Sequence, residues 1–106
     1  MIDLQRVEVE SLAALYQWFD AHYAQAESIW LVTYKKCVPD KYIAFGDVLD
    51  ACVIYGWTDG RKMKLDDQRT MQLLAPRKSA HWAQTYKDRY VRLLLEGRMH
   101  PNGQRR

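Results

Sequence analysis

The spacing of apolar residues changes period within the first sixty positions, and this limits the possible folds more than any other feature. From Glu10 to about Ala26, Leu12, Leu15, Phe19 and Tyr23 recur at three- and four-residue steps, the mark of one helical stripe. Tyr16 and Trp18 flank that stripe and widen it. From Ser28 to Lys35 the period drops to two, with Ile29, Leu31 and Thr33 alternating with Trp30, Val32 and Tyr34. β-Branched and aromatic residues on both alternating sets predict a strand covered on both faces, hence a central one.

The rest of the chain continues the alternation of element types. Pro39 biases its predecessor away from helix, so Cys37–Asp40 reads as a loop. Residues 44–55 regain helical spacing, with Phe45, Val48, Leu49, Cys52 and Tyr55 inward, Asp47 in the first turn and Gly56 placed to cap the end. Trp57-Thr58-Asp59-Gly60 contains a turn signal. Met63 and Leu65, then Met71, Leu73 and Leu74, predict two short strands joined through Asp66-Asp67 and stopped by Pro76. Ser79 is a candidate N-cap for a helix to Glu96, with Trp82, Tyr86, Tyr90, Leu93 and Leu94 on its buried face and Gly97 ending it. The tail from His100 to Arg106 is expected to fray. The expected fold is α+β, in the order helix, strand, helix, strand, strand, helix. A small antiparallel sheet of about three strands packed with about three helices is the simplest way to bury these stripes. At 106 residues the span 1–106 is expected to be one domain.

Charge is distributed unevenly. Residues 1–60 hold four basic and nine acidic side chains, and residues 61–106 hold twelve basic and four acidic. A basic half attracts nucleic acid, anionic lipid or an acidic partner, or simply solvates a face. Tyr86 and Tyr90 fall on one helical stripe with Trp82, which favours a core over an exposed nucleic-acid platform, so nucleic acid is not the expected partner. No apolar run reaches the ~18 residues of a membrane span. The first residues lack the apolar core of an export signal, so a cytoplasmic location is expected. Cys37 and Cys52 are too few for a disulfide framework.

The motifs of common catalytic sites are missing. His22, His81 and His100 are far apart, and no HExxH, CxxC, GxSxG, GxGxxG or phosphate-loop pattern occurs. No metal, cofactor or catalytic residue is therefore assigned. One cluster stands out. If the hairpin starts just after Gly60 and ends near Pro76, its two ends meet and bring Asp59 close to Arg77 or Lys78, with Trp57 and Trp82 beside them. An arginine pairs a carboxylate bidentately, and an indole shields the pair. Three readings stay open: a structural brace, a small anion-binding site, or acid–base chemistry by Asp59.

Several segments carry a resemblance. Trp30-Leu31, with Lys35-Lys36 after a three-residue gap, resembles a "WL-x-x-x-KK" strand. Phe45-Gly-Asp-Val-Leu-Asp50 and Tyr55-Gly-Trp-Thr-Asp-Gly60 resemble a following core motif, and Pro76-Arg-Lys78, Trp82, Glu96-Gly-Arg-Met99 and Pro101-x-Gly103 follow in order. Together they resemble the YdeI/OmpD-associated (bacteriocin-protection) family. Thr58, Ala83 and Tyr86 depart from its usual residues. The resemblance implies a bacterial protein without an established reaction or cofactor, linked to envelope stress, antimicrobial-peptide tolerance and association with an envelope protein. It adds Lys36 to the candidate ligand-binding residues, which become Lys36, Trp57, Asp59, Arg77, Lys78 and Trp82. The expected function is a binding or interaction module for a small anion or an acidic peptide. The alternatives are a small enzyme using Asp59, Arg77 and Lys36, or nucleic-acid binding through the basic half.

Overall fold

The Ser11 hydroxyl accepts a hydrogen bond from the Ala14 amide at 3.1 Å and starts helix α1, Leu12–His22. This is the first element expected from the periodicity, but it is not the first in the chain. In the computed structural model, which describes residues 4–78 and 83–104, a strand β1, Gln5–Glu8, precedes it. Strand β2, Ile29–Tyr34, then runs parallel to β1, with Val7 opposite Leu31. Helix α2, Phe45–Tyr55, leads to the hairpin β3, Trp57–Lys64, and β4, Arg69–Pro76. Helix α3, Gln84–Leu95, and a one-turn helix α4, Pro101–Gln104, complete the order.

The fold is α+β, but the sheet is mixed and four-stranded, in the order β1-β2-β4-β3, rather than wholly antiparallel with about three strands. The described residues also form four helices rather than about three. Both additions are too short to show a period. β1 has four residues of which Val7 alone is buried, and α4 is a single turn. β2 lies between β1 and β4, the central position its two apolar faces predicted.

Side chains on one face of the sheet, including Val7, Ile29, Leu31, Leu74 and Trp57, meet the helices in a single core. Phe19 stacks on Tyr55 at 4.9 Å between ring centroids, and Trp57 meets Phe19 and Trp18 edge-on at 5.5 and 5.6 Å. α2 is the central helix: residues 50–55 are all buried, and it packs against α1, α3, α4 and β3. Gly56 ends it with φ of 80°, a left-handed conformation that glycine adopts without steric cost. The segment expected to fray packs instead. Asn102 and Gly103 are buried, and the Asn102 side-chain amide donates to the Tyr55 carbonyl at 2.7 Å.

Three finer expectations change. The inward stripe expected of α2 does not hold for Phe45, which is 43% exposed, whereas Val48 three residues on is buried in the core. Leu94 is likewise exposed, while Leu93 is fully buried on α3. Asp59-Gly60 is not a turn: both residues lie inside β3, where the register shifts between Asp59 and Lys62.

Candidate functional site

The hairpin does bring its ends together. Trp57 pairs with Pro76 across β3 and β4, and the Arg77 amide donates to the Gly56 carbonyl at 3.0 Å. The tryptophan-bearing segment after Gly56 thus meets the chain that leads to α3.

This end holds a hydrogen-bonded network. Trp57 is fully buried, and its indole N–H donates to the Tyr23 carbonyl at 3.0 Å, so it is a core residue and not a ligand contact. The Asp59 carboxylate accepts hydrogen bonds from the Tyr86 hydroxyl and, at 3.4 Å, from the Gln72 amide. The Asp59 backbone amide donates to the same Tyr86 oxygen at 3.2 Å. Burial, followed by the bond to Asp59, raises the Tyr86 phenol well above its ordinary pKa, so it stays protonated and keeps donating. Lys78 is exposed, Arg77 is half-buried, and Trp82 lies outside the described residues.

Lys36 is elsewhere. It follows Tyr34, whose partner Arg69 opens β4, whereas Arg77 follows Pro76 at the other end of that strand. At ~3.3 Å per residue the two ends are roughly 20 Å apart. A single site using Lys36 together with Arg77 is therefore not formed.

Lys36 lines a different cavity, of about 220 Å³, toward the end of the sheet where β3 turns into β4. Thr33, Thr70 and Gln72 from the sheet, Tyr42 and Ile43 from the preceding loop, and Phe45 and Val48 from the start of α2 border it. Lys35, Lys36 and Lys62 bring three positive charges, and no carboxylate lines it. Among the described residues none of these lysines is ion-paired, whereas Lys41 and Lys64 pair with Glu10 and Asp67. The Lys62 ammonium lies 5.1 Å from the Phe45 ring centroid, and that of Lys36 lies 5.8 Å from the Tyr42 centroid. The two threonine hydroxyls are 3.4 Å apart.

The β3 irregularity makes this arrangement possible. Asp59 pairs with Leu74 and Lys62 with Gln72, so three steps on β3 match two on β4. The extra residue turns Lys62 to the face that carries Asp59, Gln72 and Leu74, as bulges near sites commonly do. Without it, strand alternation would send Lys62 to the opposite face.

Residues 7–106 match the family described as Domain of unknown function (DUF8412). The chain belongs to the DUF8412 family. No curated protein and no solved structure matches it.

In this DUF8412 domain Lys35, Tyr42, Phe45 and Lys62 border the cavity and are not among the candidates the sequence offers. The sequence does not single out Lys62, because a one-residue bulge inverts its face and leaves no periodic signal. Phe45 was assigned to the core on spacing alone. Among the described residues no group of three or more His, Cys, Asp or Glu is placed to hold a metal, and no helix is long and apolar enough to cross a membrane. The Cys52 thiol is fully buried, and burial with the nearby Asp59 charge pushes it far above its ordinary pKa, which leaves it inert as a nucleophile.

Proposed function

We propose that this domain is a binding module whose ligand is a small anion, held in the cavity bordered by Lys35, Lys36 and Lys62. The observation that carries this reading is three lysines around one cavity without a carboxylate among its lining residues. Like charges gathered without a counter-ion repel one another, and a bound anion relieves that repulsion. The lining supplies hydroxyl, amide and ammonium groups, all of which can hold an anion. The hairpin-end cluster is read as a brace, since Tyr86 and Gln72 already occupy the Asp59 carboxylate.

The test is thermal unfolding with pyrophosphate, against sodium chloride of matched ionic strength. Binding raises the melting temperature by mass action. The rise should disappear in a Lys36→Ala, Lys62→Ala double variant whose unliganded melting temperature is unchanged. No rise with any polyvalent anion would refute the reading. The strand, glycine and arginine–methionine motifs support extending the proposal to a role in bacterial envelope stress, checked by the peptide sensitivity of cells lacking the protein.

A further inference from the structure

We infer that the anion is the phosphate end of a planar-ring molecule, of the nucleoside monophosphate class. This rests on the anion reading above and adds the body of the ligand to it.

The cavity, at about 220 Å³, is smaller than the ~300–1,000 Å³ of pockets that engulf a drug-sized ligand. It therefore suits one end of a molecule and leaves the body at the mouth. Two aromatic rings border that mouth, Phe45 at 43% and Tyr42 at 38% exposure. Both belong to the small set of large hydrophobic residues left exposed on the described surface. Each ring lies near a lysine ammonium of the cavity, Lys62 for Phe45 and Lys36 for Tyr42. A phosphate entering the cavity pairs with those ammonium groups and draws them from the rings, so the faces become open to stack on a flat ligand as the charge is satisfied. The compact lysine ammonium is a common phosphate binder and acts on it as a point charge. The Thr33 and Thr70 hydroxyls and the Gln72 amide add donors and acceptors for phosphate or sugar oxygens.

The experiment is calorimetric titration of the full chain with inorganic phosphate, ribose 5-phosphate, adenosine, adenosine monophosphate and a four-nucleotide DNA carrying a 5′-phosphate. The monophosphate should bind at least about fivefold tighter than ribose 5-phosphate, the lower end of what base–aromatic stacking gives. Adenosine without phosphate should bind more weakly than the monophosphate. Phe45→Ala and Tyr42→Ala should each reduce the monophosphate toward ribose 5-phosphate and leave inorganic phosphate unchanged. Phe45→Leu, which keeps apolar bulk but no ring, should behave like Phe45→Ala and guards against a misfolded alanine variant. Tighter binding of the oligonucleotide than of the monophosphate would place the phosphate on a strand end, and the reverse order on a free nucleotide; either supports the class. Equal affinity for the monophosphate and ribose 5-phosphate, with phosphate binding still lost in Lys62→Ala, would overturn this inference and leave the anion reading intact. No binding by any phosphate would overturn both.

Discussion

Arg89 on α3 reaches Asp50 on α2 with 2.5 Å between guanidinium nitrogen and carboxylate oxygen, and Arg92 joins the same oxygen at 2.6 Å. Asp50 is 7% exposed, the one charged residue buried among the described residues. These two pairs fasten α3 to the central helix. Burial alone would raise the Asp50 pKa, but the hydrogen bonds and charges of the two arginines outweigh it and hold the carboxyl below its ordinary value. Asp50→Ala leaves Arg89 half-buried without its counter-ion. The loss should be on the order of 2–3 kcal/mol, below the 3–5 of fully buried pairs because Arg92 is partly solvated. Because the folded pKa is depressed, the stabilisation is complete above the ordinary carboxyl value and fades as pH falls through the lower folded one. Urea unfolding of wild type and Asp50→Asn should therefore differ most near neutrality and converge in acid.

Gly103 offers a sharper test of the docked tail. A Cβ at this position would lie 2.2 Å from the Ile54 carbonyl oxygen, so any side chain forces backbone apart. Gly103→Ala should cost about 1–3 kcal/mol, the usual range for overpacking. Hydrogen exchange should also accelerate at His100, whose amide donates to that same Ile54 carbonyl. Unchanged protection there would mean that α4 does not hold α2.

The long elements were legible because each has enough residues to display a period. α1 and β2 are read from Leu12, Leu15 and Phe19 and from Ile29 to Tyr34, and the structure places them within a few residues of those limits. β1 was not legible: one buried valine in four residues gives no alternation, and it is a strand through its parallel pairing with Ile29–Val32. The hairpin-end geometry was legible in outline, since Trp57 and Pro76 do meet. The chemistry there was not, because Asp59 finds Tyr86, a partner set by how α3 packs rather than by charge pairing along the chain. The lysine cavity needs segments distant in sequence and a bulge, and of its three lysines the sequence singles out Lys36 alone.

The two cysteines should separate cleanly by reactivity. Cys37 is exposed on the loop after β2, and Cys52 is fully buried on α2 with its thiol pKa raised by burial and by Asp59. A disulfide-exchange reagent at pH 8 should modify one thiol per chain rapidly in the native protein and two in denaturant. Cys37→Ser should abolish the fast phase. Rapid modification of both native thiols would mean that α2 opens far more readily than its packing implies.

Tyr86→Phe separates the brace from the candidate site. The hydroxyl it removes donates to the Asp59 carboxylate and accepts from the Asp59 amide, so one deletion leaves two polar groups of a half-buried residue without their partner. The expected loss of stability is about 1–3 kcal/mol, read from the denaturation midpoint. Asp59 remains linked to Gln72, which borders the lysine cavity, yet the lysines themselves sit on β3 and on the residues after β2. Pyrophosphate should therefore raise the melting temperature of Tyr86→Phe by as much as it raises that of the wild type. A variant that folds well but no longer responds to pyrophosphate would show that Asp59 and Tyr86 position the cavity as well as brace the hairpin, and the two ends of β4 would then belong to one functional unit.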